Sequence, residues 1–318
     1  MARPIILGVV GDSGAGKTTL TRGLLRVLGD EHVSRLNIDD YHRLDRRQRA
    51  EAGVSPLHPA ANHVDILTQD LLHLRRGEAV LKPVYDHRDG TLAAPVYLRP
   101  TRFLLVEGLL GFHTETLRST QDVRIFLAPH EGLRRAWKVK RDCTLRGYTT
   151  DEVLRELDLR EADAEHFIRP QQAAADIVVS FCPDPGGDPA RLGADVILRD
   201  TLEHPDLSAL IEGDRGPTLA RRENDLLLRI PGDVHPEHAA ELEEAVWEHM
   251  TFASHLRVHR LGEFTVGTDL RRSASLAVVQ VIVLFHLVHA RAALASGQAP
   301  SVRLAPRAPT GADSALHA

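Results

Sequence analysis

Gly11-Asp12-Ser13-Gly14-Ala15-Gly16-Lys17-Thr18 follows the apolar run Ile5 to Val10 and leads into Thr19 to Leu25, whose apolar spacing is helical. Glycines there let the backbone curl round a phosphate chain with its N–H groups inward, while the following helix aims its positive dipole end at the same anions. Lys17 would reach the β and γ phosphates, and Thr18 offers the hydroxyl that Mg²⁺ needs. Gly11, Asp12, Ser13, Gly14, Ala15, Gly16, Lys17, Thr18 and Thr19 are therefore read as a site for ATP. A glycine-rich turn fitting the pattern by accident would lack the strand before it and the helix after it.

A phosphate loop says nothing of the acceptor, so the segment Leu36 to Arg46 carries the second step. It follows a strand-like run and holds Asp39, Asp40, His42, Arg43 and Arg46. Parallel α/β sheets bind ligands at the C-terminal ends of their strands, which would put these groups beside the triphosphate. Transfer to a hydroxyl needs a carboxylate that takes its proton, a role suited to Asp39. Asp40 could bind metal, or one of the two could cap a helix starting near Tyr41. Phe103 to Gly111 is an apolar run ending in an acid, Glu107, placed to hold Mg²⁺ directly or through water. Trp137 to Tyr148 reads as a basic helix gathering Lys138, Arg141, Asp142 and Arg146. Such helices are usually solvated, but converging cations also suit a phosphorylated acceptor and a transition state with spread charge.

These groups need a scaffold. Short β-branched runs at Ile5–Val10, Val33–Ile38, Phe103–Val106, Val123–Phe126 and Asp176–Ser180 alternate with helical patterns at Lys17–Leu28, Val64–Arg75, Gly132–Arg146, Thr150–Arg160 and a short one after Pro170. That alternation predicts an α/β fold with a parallel sheet flanked by helices. The stretch from Tyr41 to Pro100 is less regular and polar, and is expected to serve the acceptor site. Cys182 to Pro189 marks a boundary, so the reading expects a nucleotide domain over 1–182. A smaller α+β region over 190–295 follows, with strands at Ala194–Arg199, Asp225–Ile230 and Leu256–Val258 and helices at Glu237–His249 and Ser273–Ala293. Residues 296–318 are expected to be a disordered tail.

The 318 residues carry a net charge of −5, which argues against a nucleic-acid or anionic-membrane footprint. Two cysteines, Cys143 and Cys182, give no disulfide framework or zinc spacing and suit a reducing compartment. Met1 to Pro4 runs straight into the first strand, so no signal or transit peptide and a cytoplasmic location are expected. Ala274 to Leu294 is apolar, but Gln280, His286, His289 and Arg291 interrupt it, so a buried amphipathic helix is expected rather than a membrane span.

Taken together, Gly11 to Thr18, Asp39 to Arg46, Leu57-His58-Pro59-Ala60-Ala61-Asn62, Lys82-Pro83-Val84-Tyr85-Asp86-His87, Val106 to Leu109 and Arg146-Gly147-Tyr148 resemble the phosphoribulokinases, of the plant and cyanobacterial type. The resemblance runs through Asp176 and returns over Leu261 to Arg291, while Pro183 to His255 diverges. It implies a P-loop NTPase-type fold, Mg²⁺ and ATP, and phosphorylation of the C1 hydroxyl of ribulose 5-phosphate. Under it Asp39 is the general base, and His42, Arg46, Tyr85, His87 and Arg146 bind the sugar phosphate. Lys138 and Arg141 assist the phosphates or the transition state, Lys17 assists transfer, and Glu107 is the metal-associated acid. A homodimer is expected. Plant and cyanobacterial members carry a regulatory cysteine pair where this chain has Ala15 and Asn37, so no thioredoxin switch of that kind is expected. A uridine-kinase-like acceptor is the rival, disfavoured by the number of cations, and a regulator without transfer would have lost Asp39 or the cations.

Overall fold

The structure, a computed structural model, describes residues 3–183, 191–207, 216–257, 260–266 and 269–297. Residues 298–318 of the expected 296–318 tail and most of the Cys182–Pro189 segment lie outside the described residues. The chain forms two compact units. The first is 1–17, 31–127 and 131–174; the second is 18–30, 128–130 and 175–318. The expected division at 182 does not follow these units, because residues 175–182 and most of the first helix belong to the second.

In the first unit, β1 (Ile5–Gly11) leads through the phosphate loop into α1 (Lys17–Leu28), which continues in the second unit. Next come β2 (Val33–Asn37), a 3₁₀ turn at Ile38–Tyr41, α2 (Arg46–Ala52), α3 (Val64–Arg75), the strands β3 (Val80–Asp86) and β4 (Thr91–Leu98), and β5 (Phe103–Gly108). Then follow α4 (Glu115–Ser119), β6 (Val123–Leu127), α5 (Glu131–Arg146), α6 (Thr150–Leu159) and α7 (Glu161–Asp163), the last running into tight turns as far as Ala174. Strands β2, β5, β1 and β6 lie side by side in that order and all pair in parallel. This is the expected α/β arrangement. Every residue of β1 is buried, as a central parallel strand requires. Leu67, Leu71 and Leu74 of α3 pack with Leu36, Leu104 and Val106 of the sheet and with Tyr41.

The 41–100 stretch is more regular than expected. Besides α3 it contains α2 and an antiparallel β3–β4 hairpin. Strand β4 is exposed along nearly all its length, so it shows no period-two burial pattern, and Pro83 and Pro95 weaken both strand signals. Helix α2, Arg-Arg-Gln-Arg-Ala-Glu-Ala, has no apolar stripe. It is set instead by a capping box between Asp45 and Gln48 and by Gly53 in the left-handed region at its end.

In the second unit, β7 (Ile177–Pro183) accepts hydrogen bonds at Val179 and Phe181 from Ala128 and His130, ascending together as parallel strands do. On its other side it is antiparallel to β8 (Leu192–Leu198); β9 (Thr218–Arg222) and β10 (Asp225–Ile230) complete the order β7-β8-β10-β9. Helix α8 (Pro236–Glu248), the hairpin β11 (Glu263–Val266) and β12 (Asp269–Arg272), and α9 (Ala274–Ala295) follow. The expected strand at Leu256–Val258 is absent over its described part: Thr251–Leu256 is a 3₁₀ turn, and Val258 lies outside the described residues.

Helix α9 is long and apolar enough to cross a membrane by length and composition, yet residues 275–288 are all buried inside the unit. It is a core helix rather than the amphipathic one expected. Its polar groups are matched: Gln280 accepts from the Gly262 N–H at 2.8 Å and donates to the Leu20 carbonyl at 3.3 Å. His204 Nε2 lies 2.7 Å from the Arg199 carbonyl and must donate to it, so His204 Nδ1 accepts from His286 Nε2 at 3.2 Å.

Burial pushes His286 well below the usual histidine range and His204 below it. As pH falls through about 6.5, the unfolded chain takes up protons that the folded chain refuses. Stability present above that pH should therefore decline toward the lower folded-state values, by about 1.4 kcal/mol per pH unit for each group. Urea unfolding between pH 7.5 and 5 checks this, and His286→Leu should flatten the slope.

Candidate active site

The loop after β1 is built on α5. Gly14 has φ +88°, and a Cβ there would come 3.0 Å from Lys138 Cβ and 3.3 Å from the Arg134 carbonyl, so only glycine fits. Arg134 donates to the Ser13 carbonyl at 3.1 Å, Arg141 to Ser13 Oγ at 3.4 Å, and Arg169 to Asp12 Oδ2 at 3.3 Å. Lys17 Nζ rests on the Gly11 and Asp12 carbonyls, at 2.7 and 3.0 Å. Burial pulls the Lys17 ammonium down, against the carboxylates of Asp39, Glu107 and Asp12. Asp39, Glu107, Asp12 and Arg141 are thus each within electrostatic reach of Lys17. Thr18 and Thr19, the next residues of α1, are exposed, and Ala15 is buried.

Asp39 sits on the 3₁₀ turn at the C-terminal end of β2. The cap of that turn is Asn37, whose Oδ1 accepts from the Asp39 N–H at 3.2 Å. Helix capping by Asp39 or Asp40 is not seen; Asp45 caps α2. Asp40 is turned inward: Lys82 Nζ donates to its Oδ2 at 2.5 Å and the Tyr85 N–H to its Oδ1 at 3.0 Å. Both oxygens are committed to the β3 strand, which sets Asp40 aside from the metal-binding role expected of it. Tyr41 is fully buried and donates to Asp70 Oδ2 at 2.7 Å. The turn carrying Asp39 is therefore pinned before, within and behind.

The expected acceptor groups gather on one side of this turn. His42 Nδ1 lies 2.7 Å from Asn62 Oδ1, and its ring meets Tyr85 edge to face at 4.8 Å. Tyr85 accepts at its hydroxyl from Arg49 at 2.6 Å. His87 Nε2 is 3.9 Å from Asp39 Oδ2, and Arg46 donates to the His87 carbonyl at 2.7 Å. Burial lowers the His87 pKa, with Asp39 and Asp40 opposing and Arg146 and Arg141 assisting, so the end of β3 faces the basic helix. On α5, Asp142 organises the cations: Lys138 Nζ at 2.6 Å, Arg141 Nε at 2.8 Å and Arg146 at 3.5 Å. Burial raises the Asp142 carboxyl, but the hydrogen bonds from Arg141 and Lys138 outweigh it and bring it down to about 2. Lys138 is buried in this pair, whereas Arg146 keeps 35% of its side chain exposed.

Glu107 is the second-last residue of β5, in register with Val9 of β1 and Asn37 of β2. Among the described residues no group of three or more His, Cys, Asp and Glu side chains converges as a metal cage. A Mg²⁺ ion that keeps several waters and takes substrate phosphates needs only one or two protein oxygens, and Glu107 and Thr18 are hard oxygen donors of that kind.

Arg134, Arg169, Arg49 and Lys82 were not among the expected site residues. Arg134 was legible, because Arg134, Lys138 and Asp142 repeat every fourth residue on the buried face of α5. Arg169, 157 residues from the Asp12 that it pairs with, left no local signal.

Lys82→Met should leave the buried Asp40 carboxylate unpaired and destabilise the first unit by about 3–5 kcal/mol. Equilibrium denaturation of the variant measures this; a loss below about 1 kcal/mol would mean that the pair bears little.

The family model described as the phosphoribulokinase / uridine kinase family matches residues 6–185. Phosphoribulokinase of Synechocystis sp. is 36% identical over 181 residues, covering 57% of this chain and 54% of its own. A uridine kinase of Lactococcus lactis is 30% identical over 203 residues, covering 62% of this chain and 95% of its own. The chain spans about half the length of the curated phosphoribulokinases it matches. The expected similarity at Leu261 to Arg291 lies outside the range of the family model. A solved phosphoribulokinase from Rhodobacter spheroides shares the fold, with a TM-score of 0.57 at 21% identity over 80% of this chain and 99% of that one. With the phosphate loop, the pinned aspartate and the basic helix in one unit, the chain belongs to the phosphoribulokinase / uridine kinase family.

Proposed function

We propose that this protein transfers the γ-phosphoryl group of ATP to the C1 hydroxyl of ribulose 5-phosphate, giving ribulose 1,5-bisphosphate and ADP. One observation carries the reading: Asp39, the base candidate, acts on the phosphate-loop Lys17 and lies 3.9 Å from His87, whose carbonyl Arg46 holds and whose ring is also influenced by Arg141 and Arg146. An uncharged acceptor has little use for these arginines, whereas a sugar phosphate needs them.

Lys17 exchanges the Gly11 and Asp12 carbonyls for β and γ phosphate oxygens. Asp39 orients the acceptor hydroxyl, which attacks the γ phosphorus in line and gives its proton to the carboxylate as ADP departs. Lys138 and Arg141, held by Asp142, neutralise charge spreading over the transferring group. Arg46 and Arg146 hold the acceptor's phosphate, with His42, Tyr85 and His87 along the sugar. Thr18 and Glu107 would hold Mg²⁺, which when bound supplies charge neutralisation at the β and γ phosphates.

A nucleoside acceptor is the second reading, favoured by the match to nearly the whole of the Lactococcus lactis uridine kinase. The protein is proposed to act in the cytoplasm as a homodimer.

An ATP-consumption assay over sugar phosphates and nucleosides should give turnover with ribulose 5-phosphate; turnover with uridine alone would favour the second reading. Asp39→Asn should lower kcat by about 10²–10⁴-fold with ATP affinity retained. Wild-type turnover in this variant would remove Asp39 as the base. Activity should be equal after oxidant and after reductant, because Ala15 and Asn37 stand where the resemblance puts the regulatory cysteine pair, and Cys143 and Cys182 are not joined in a disulfide.

A further inference from the structure

We propose that Asn62 locks His42 as the Nδ1–H tautomer, so that His42 Nε2 serves the phosphoryl acceptor as a hydrogen-bond acceptor for one of its hydroxyls. This rests on the kinase reading above for the identity of the ligand, though not for the lock itself.

The lock follows from what each partner can donate. Asn62 Nδ2 lies 3.0 Å from the Pro56 carbonyl and 2.9 Å from the His58 carbonyl. Carbonyls only accept, so the atom facing both must be the amide NH₂, and the atom facing His42 must be the oxygen. An oxygen 2.7 Å from His42 Nδ1 requires a proton on that nitrogen. The backbone fixes the same register, with the Arg43 N–H donating to the Ala61 carbonyl at 2.8 Å and the His63 N–H to the Tyr41 carbonyl at 2.7 Å. His42 therefore has little freedom to flip, and it is 5% exposed.

With Nδ1 protonated, the neutral ring has an acceptor lone pair at Nε2. The groups around the ring are Asp39, Arg49, Asn62, His87 and Tyr85; burial favours the neutral form, with Asp39 and the Asn62 hydrogen bond opposing and Arg49 and His87 assisting. A lone pair repels the oxygens of a phosphate dianion and attracts an O–H. His42 then reads the hydroxyl part of the acceptor, leaving its phosphate to arginines such as Arg46 and Arg146. Asn62 acts as a positioning residue, since it works only through His42.

The test is ¹⁵N NMR of the histidine rings of the wild-type protein at pH 7.5, without substrate, with His42 assigned by His42→Gln. A protonated Nδ1 and an unprotonated Nε2 support the lock. A proton on Nε2, or an averaged signal from both tautomers, overturns it whichever acceptor the enzyme uses. Asn62→Ala should then give the averaged signal and raise KM for ribulose 5-phosphate about 5- to 10-fold, the worth of one hydrogen bond, with KM for ATP unchanged. A released tautomer with an unchanged acceptor KM would overturn the positioning role. If the variant does not fold, the wild-type spectrum still decides the lock. If neither ribulose 5-phosphate nor uridine is turned over, the kinase reading fails while the tautomer result stands.

Discussion

Asp40 and Lys82 meet at 2.5 Å with side chains only 12% and 10% exposed, and the turn that carries Asp39 hangs on that pair. Asp40 is the next residue after the base candidate, so fixing one carboxylate inward fixes where the other can point. The Tyr85 N–H completes the coordination of Asp40, and Tyr85 in turn packs against His42 and His87. One buried pair thus joins the end of β2 to the β3–β4 hairpin and sets base and acceptor groups at a common distance. A buried ion pair is a poor source of net stability compared with apolar packing, because desolvation cancels much of its attraction. Its value here lies in geometry.

The other half of the site is built differently. Besides the buried Ala15, the phosphate loop is gripped by cations: Arg134 and Arg141 on Ser13, Arg169 on Asp12. Asp142 keeps Lys138 buried and gathers the partly exposed Arg141 and Arg146 beside it. Charges arranged in advance need no reorganisation as a transition state develops, which is where such an arrangement yields rate. The same helix therefore supports the loop on one face and offers cations from it.

Much of this was legible in the chain. Strands β1 and β5 read clearly because they are apolar runs buried along nearly all their length, and α1 and α3 matched residue for residue because their apolar spacing is helical. Asp39, Lys17 and the α5 cations are legible as candidates because their chemistry is local in sequence. The β3–β4 hairpin was missed, since an exposed strand carrying prolines has no pattern to read. Asp40 reads in the sequence as a metal ligand or a helix cap, because its partner Lys82 lies 42 residues away and sequence spacing cannot show a pairing of that range. Asn37 was read only as the loss of a cysteine, whereas in the fold it caps the turn bearing Asp39.

If the Asp40–Lys82 anchor serves position rather than stability, replacing both charges at once separates the two. Asp40→Leu with Lys82→Met removes the pair without stranding either charge, so the loss of stability should be limited to the freed Tyr85 N–H, about 1–3 kcal/mol. The expected result is a kcat about 100-fold lower, as Asp39 drifts by an ångström or so, with KM for ATP unchanged. A double variant that folds and turns over at the wild-type rate would contradict the positioning role.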